Sequence, residues 1–236
     1  MVDDSAPGGL CLVELVGPAG AGKSTVFRSL LARDQAILER PTLRKTKYAA
    51  VVAVSVVGAV ATLIRQGAIG RHLRTEQVQM MMYLQALPRI LARVGSAGGT
   101  AIVFDQGPLF FLTRPSLMNE RLATWRSRML DTWAPLLDMV VCLDAPDALL
   151  GERINTRRKW HALKGADSES AIEVLRASRR VYQDAVGELA ARGAGPLILR
   201  FDTSKRPADD IADAILSAMA DTDDYARRSR ELGGSS

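Results

Sequence analysis

The stretch Gly17 to Thr25, GPAGAGKST, constrains this chain more than any other. It satisfies the pattern G-x-x-x-x-G-K-[ST]. An apolar run, Leu10 to Val16 (LCLVELV), leads into it, and an amphipathic pattern over residues 22–33 leads out. A strand entering a glycine-rich turn that opens a helix is the context in which the pattern has a physical meaning. Glycines let the backbone curl round phosphate oxygens and turn its N–H groups inward. The helix N-terminus adds partial positive charge. Gly17, Ala19, Gly20, Ala21, Gly22, Lys23, Ser24 and Thr25 are therefore the candidate nucleotide-binding residues. Lys23 can reach the β- and γ-phosphates, and the Ser24 hydroxyl can ligate Mg²⁺.

The rest of the chain alternates short apolar runs with helical patterns, which predicts α/β organisation with a mostly parallel sheet. Strands are expected at residues 10–16, 36–39, 101–104, 138–143 and 197–201. Helices are expected at 22–33, 43–66, 71–94, 116–133, 147–163 and 168–192, with a last one around Ile211, Ile215 and Met219. Pro88 should kink or end the helix that contains it. The fold class is then a three-layer P-loop NTPase fold, with about five parallel strands and helices on both faces. Residues 1–9 read as a disordered N-terminus, 10–220 as the domain, and 221–236 as a flexible tail.

Composition narrows the setting. Of 236 residues, 47% are hydrophobic and 24% charged, which is an ordinary soluble balance. The net charge of +5 suits anionic small ligands and is too dispersed to indicate nucleic acid. The two cysteines, Cys11 and Cys142, fall in apolar runs and read as buried small hydrophobes. The N-terminus has no secretory apolar region, so a reducing cytoplasm is the expected compartment. The run at 49–64, AAVVAVSVVGAVATLI, is shorter than a spanning helix needs. It reads first as a buried helix or subunit interface, with membrane contact and a strand as alternatives.

Two groups of side chains could complete a phosphoryl-transfer site. Asp105 closes the strand AIVF beside the loop, where a carboxylate can hold the Mg²⁺ shell or accept a proton from an acceptor. Arg153 and Arg157 share one helix face at i, i+4, beside Arg158 and Lys159, and can neutralise charge over the γ-phosphate. A solvated basic face and a turn aspartate are the plainer alternatives. Arg74, Glu76 and Gln77 are candidate acceptor contacts. Met80 to Tyr83, Phe110 and Phe111 either line a pocket or fill the core, and His72 and His161 read as surface residues.

The order GPAGAGKST, VFDQGP, VVCLDAPDALLGERINTRRKW and LRFDTSKRPADDIADAI resembles the thymidylate kinase and deoxynucleoside kinase group of P-loop kinases. The resemblance spans most of residues 10–220. It implies ATP with Mg²⁺ as donor and a small-molecule acceptor. It also implies an arginine-bearing lid at about residues 150–166 that closes on the donor phosphates through Arg153 and Arg157, and a homodimer. It places adenine near Asp202 to Lys205. The segment ILERP resembles the family pattern in which a glutamate takes the acceptor proton, so Glu39 rivals Asp105 as base. Thymidylate kinases carry Asp-Arg after the third strand, whereas this chain carries Asp105-Gln106-Gly107. The arginine that holds an acceptor phosphate there has no counterpart at that place. The acceptor is therefore open among a nucleoside or nucleotide, a sugar and another biosynthetic metabolite. The other reading is an ATPase or switch acting on a partner protein or membrane.

Overall fold

Alternation along the strands builds two hydrophobic cores, one on each side of a single sheet. In β1 (Cys11–Val16), Leu12 and Val16 enter one core, while Cys11, Val13 and Leu15 enter the other. The same two-residue period divides β3 (Ala101–Phe104), β4 (Met139–Asp144) and β5 (Leu197–Asp202). With β2 (Ile37–Glu39) at one edge, the strands lie in the order β2-β3-β1-β4-β5, and every pairing is parallel. Strands buried on both faces need no polar alternation, which is why they read as continuous apolar runs. This computed structural model describes residues 10–39, 48–67, 75–94, 101–115, 117–118, 120–156, 168–193 and 195–233.

One core is covered by α1 (Lys23–Arg33), α6 (Asp147–Thr156) and α8 (Ala208–Gly233). The other is covered by α2 (Ala49–Arg65), α3 (Thr75–Val94), α4 (Pro108–Leu112), α5 (Ala123–Trp133) and α7 (Ser168–Ala190). The chain is thus a three-layer α/β fold with five parallel strands and helices on both faces, as the sequence predicts.

Several elements differ from expectation. α3 continues through Pro88 instead of ending there. The lost amide costs about 3 kcal/mol, and burial of Leu84, Leu87, Ile90 and Leu91 around it outweighs that. The helix expected over 116–133 starts only at Ala123, after a 3₁₀ turn at Glu120–Leu122, and α4 was not anticipated at all. α8 runs to Gly233, past the Asp221 boundary, because no glycine or proline interrupts ADTDDYARRSREL.

The Ala/Val run is indeed a helix, but only one face of it is buried. Val51, Ser55, Ala59 and Leu63 form an i, i+4 stripe against the core, while Val54, Val57 and Ile64 are exposed. Among the described residues no helix is long and apolar enough to cross a membrane. Cys11 is buried as expected; Cys142 is only partly so.

Candidate functional site

β1 delivers the chain to the C-terminal edge of the sheet between β3 and β4, and the phosphate loop turns there. Gly17 adopts φ 142°, and a Cβ on it would lie 2.0 Å from the Leu143 carbonyl oxygen. Gly22 caps α1 with φ 86°, a left-handed conformation that L side chains resist. The Lys23 ammonium donates to the carbonyls of Gly17 at 2.6 Å and Pro18 at 2.8 Å, so it is folded back over the loop. Ser24 and Thr25 are exposed at the start of α1. A cleft of about 890 Å³ opens over the loop; Asp105, Phe110 and Arg153 line it with the loop residues, whereas among the described residues none of β2, α2 or α3 does, so Glu76, Gln77 and Met80 to Tyr83 lie outside it.

Asp105 enters this cleft directly from β3. The register sets Glu14 against Phe104, which brings Asp105 alongside the end of β1. Asp105 makes no hydrogen bond or ion pair to the described residues. Asp144, at the end of β4, is engaged instead. Arg179 donates to it through Nε at 2.6 Å and Nη2 at 3.0 Å, and reaches Asp147 at 2.8 Å. The guanidinium therefore ties α7 to the start of α6. Hydrogen bonds from Arg176 first and Arg179 second hold the Asp147 carboxyl below its usual range.

Arg153 bridges the two rims of the cleft. Its Nη1 donates to the Gly20 carbonyl at 3.3 Å and to Thr203 Oγ1 at 2.8 Å, and Nη2 donates to the Thr203 carbonyl at 3.0 Å. Thr203 is in turn held by Asp144, its N–H donating to that carbonyl at 2.8 Å. Arg153 thus joins the loop tip to the segment after β5, the segment the family resemblance assigns to adenine. Arg157, Arg158 and Lys159 lie outside the described residues, as do Arg74, His72 and His161. Glu39 ends β2, which β3 separates from β1; its side chain lies outside the described residues.

On the far side of the cleft stand Phe110 and Arg114. The Arg114 guanidinium sits 5.5 Å from the Phe110 ring centroid and 3.6 Å from the Glu76 carboxylate. Phe111 turns inward against Tyr83, with centroids 4.7 Å apart, so the two adjacent phenylalanines separate into cleft and core. Met80, Met81 and Tyr83 are buried, and Gln77 is largely so.

The sequence reading missed Glu14, the fully buried carboxylate of β1. Its oxygens accept from Leu109 N–H and Phe110 N–H, each at 3.0 Å. These are the first free amides of α4, so Glu14 holds the turn that follows Asp105. Burial pushes its pKa up to about 7 against the opposing pull of the amides. A lone acid inside an otherwise apolar strand was the available signal. Arg114 and Tyr182 were also missed; each reaches the cleft from a segment with no motif of its own.

The donor set fits a magnesium nucleotide. The exposed Ser24 hydroxyl and the Asp105 carboxylate are hard oxygen ligands, and Mg²⁺ takes only one or two such groups beside phosphate oxygens. No family model matches the chain, and no curated protein does. Among solved structures it is similar to that of a deoxyadenosine kinase from M. mycoides with products dCMP and a flexible dCDP bound. The identity is 16% over 89% of this chain and 99% of that one, with a TM-score of 0.48. The fold assignment stands on the chain's own sheet order and phosphate loop, and function must be argued from the site.

Proposed function

We propose that the protein is a small-molecule kinase that moves the γ-phosphoryl group of ATP to a hydroxyl or phosphate of an acceptor bound in the cleft. The observation that carries this reading is the meeting of the phosphate loop, in one cleft, with Asp105, a carboxylate that is unpaired among the described residues. The loop amides and Lys23 bind the polyphosphate, Lys23 exchanging its loop carbonyls for phosphate oxygens. Ser24 and Asp105 would hold Mg²⁺, which supplies charge neutralisation at the bridging oxygens when bound. In the alternative role Asp105 would orient the acceptor and take its proton. Arg153 keeps the loop tip and the segment after β5 at a fixed separation, and a lid role for Arg157, which lies outside the described residues, rests on the family resemblance alone. Phe110 and Arg114 form the acceptor wall.

The test is a mass-spectrometric screen for phosphorylated products, with ATP offered alongside a mixture of hydroxyl- and phosphate-bearing metabolites. A product that appears with the wild type and falls by about 10³-fold or more in Lys23→Ala supports the kinase. ATP consumption with no phosphorylated product would replace it with an ATPase.

A further inference from the structure

A second cavity, of about 490 Å³, lies between α7 and the C-terminal ends of β1, β4 and β5. It shares Gly17 and Tyr182 with the nucleotide cleft but opens against the other residues of that helix, Arg179, Gln183 and Val186. Its size is that of a small-molecule site, and its walls have the usual make-up of one: apolar surface with a few polar groups. Val16, Leu143, Phe201 and Val186 supply the apolar part.

The four charges lining the cavity, Asp144 and Asp202 against Arg179 and Arg200, sum to zero, but they do not all pair off with one another. Asp144 is satisfied by Arg179. Asp202 accepts from the Ser204 N–H at 2.9 Å and hydroxyl at 2.5 Å, with Lys205 3.7 Å away. Arg200 remains. It stands on β5 opposite Cys142 of β4 and makes no hydrogen bond or ion pair to the described residues. Its flanking residues, Leu199 and Phe201, belong to the core on the other face of the sheet. An unpaired guanidinium beside apolar walls is a receptor for a carboxylate, sulfonate or phosphate attached to an apolar body.

We propose that this cavity is a second ligand site, taking a small organic anion whose ring-sized apolar part packs on Val16, Val186 and Tyr182 and whose charged group meets Arg200. The ligand would rest against Gly17 and Pro18, the residues whose carbonyls hold Lys23.

Cys142 makes the site observable. The chain has two cysteines, Cys11 is buried, and Cys142 lines the cavity. The probe is 8-anilinonaphthalene-1-sulfonate, and the readout is the rate of Cys142 alkylation by N-ethylmaleimide, assigned by peptide mass. With the probe at about ten times its dissociation constant, alkylation of the wild type should slow about tenfold, in proportion to occupancy. Arg200→Ala, which removes an exposed side chain, should weaken the probe about tenfold, so that at the same concentration alkylation slows only about twofold. The uncharged analogue N-phenyl-1-naphthylamine, used on the wild-type protein, should protect much less. Unchanged alkylation in the presence of the probe would overturn the site. Equal protection in Arg200→Ala, or by the neutral analogue, would overturn its anion selectivity.

Discussion

β3 and β4 flank β1 on either side, and each delivers an aspartate to the same edge of the sheet. The two carboxylates have opposite fates. Asp144 is gripped by Arg179 and its backbone anchors Thr203, so it serves the architecture. Asp105, in the cleft next to the phosphate loop, has no partner among the described residues. Position at a strand end is therefore not what assigns a role. The partner does, and here the partner arrives from a helix 35 residues away in sequence.

The sharpest way to break this comparison is to remove each charge in turn. Asp105→Asn should lower phosphoryl transfer by about 10² to 10⁴-fold while leaving the melting temperature unchanged or slightly raised, because no stabilising contact is lost. Steady-state rates and thermal melts on the same preparations read both effects. A variant that melts early but still turns over would reverse the assignment.

Glu14 tests how the Asp105 segment is held. Its carboxyl titrates at about 7 in the fold against 4.5 when exposed, so the native state binds its proton more tightly than the unfolded chain. Between those two values stability must fall as pH rises, by about 3 kcal/mol in total. The loss is complete above the folded pKa and absent below the unfolded one. Denaturation midpoints at about pH 5 and about pH 8 should show this decline in the wild type and a much flatter profile in Glu14→Gln. Parallel profiles in the two proteins would remove Glu14 as its cause.

Arg179→Ala attacks the other strand end. Loss of the contacts to Asp144 and Asp147 should lower the melting temperature by about 3 °C, as expected for roughly 1 kcal/mol in a chain of this size. The rate of transfer should fall less than in Asp105→Asn. The smallest effect belongs to Arg33, whose pairs with Asp209 at 3.0 Å and Asp213 at 2.7 Å lie on the solvated surface between α1 and α8. Arg33→Ala should leave both melting and activity unchanged within error, since exposed ion pairs contribute little.

How much of this could be read from the sequence follows from which interactions are local. The phosphate loop and the four longer strands were legible because apolar runs and glycine spacing are properties of neighbouring residues. α4 was not, since a five-residue helix has no period to detect. It exists because Pro108 starts it and Glu14, distant in sequence, accepts its first amides. The lock on Asp144 was hidden for the same reason, as nothing near Arg179 announces its acids. The run at 49–64 announced a helix but not which face would be covered; packing against α3 decided that. Asp105 is the first choice as base, and the rival reading of Glu39 comes from taking each strand end alone. The sheet order places one beside the loop and the other a strand further out.

The central claim is that residues 17–25 wrap the polyphosphate of a nucleotide. Isothermal titration calorimetry with magnesium ATP tests it without knowledge of the acceptor. Saturable heat with the wild type, and affinity weakened by about tenfold or more in Lys23→Ala, is the predicted result. No heat with any magnesium nucleoside triphosphate, or an identical isotherm from Lys23→Ala, would contradict it.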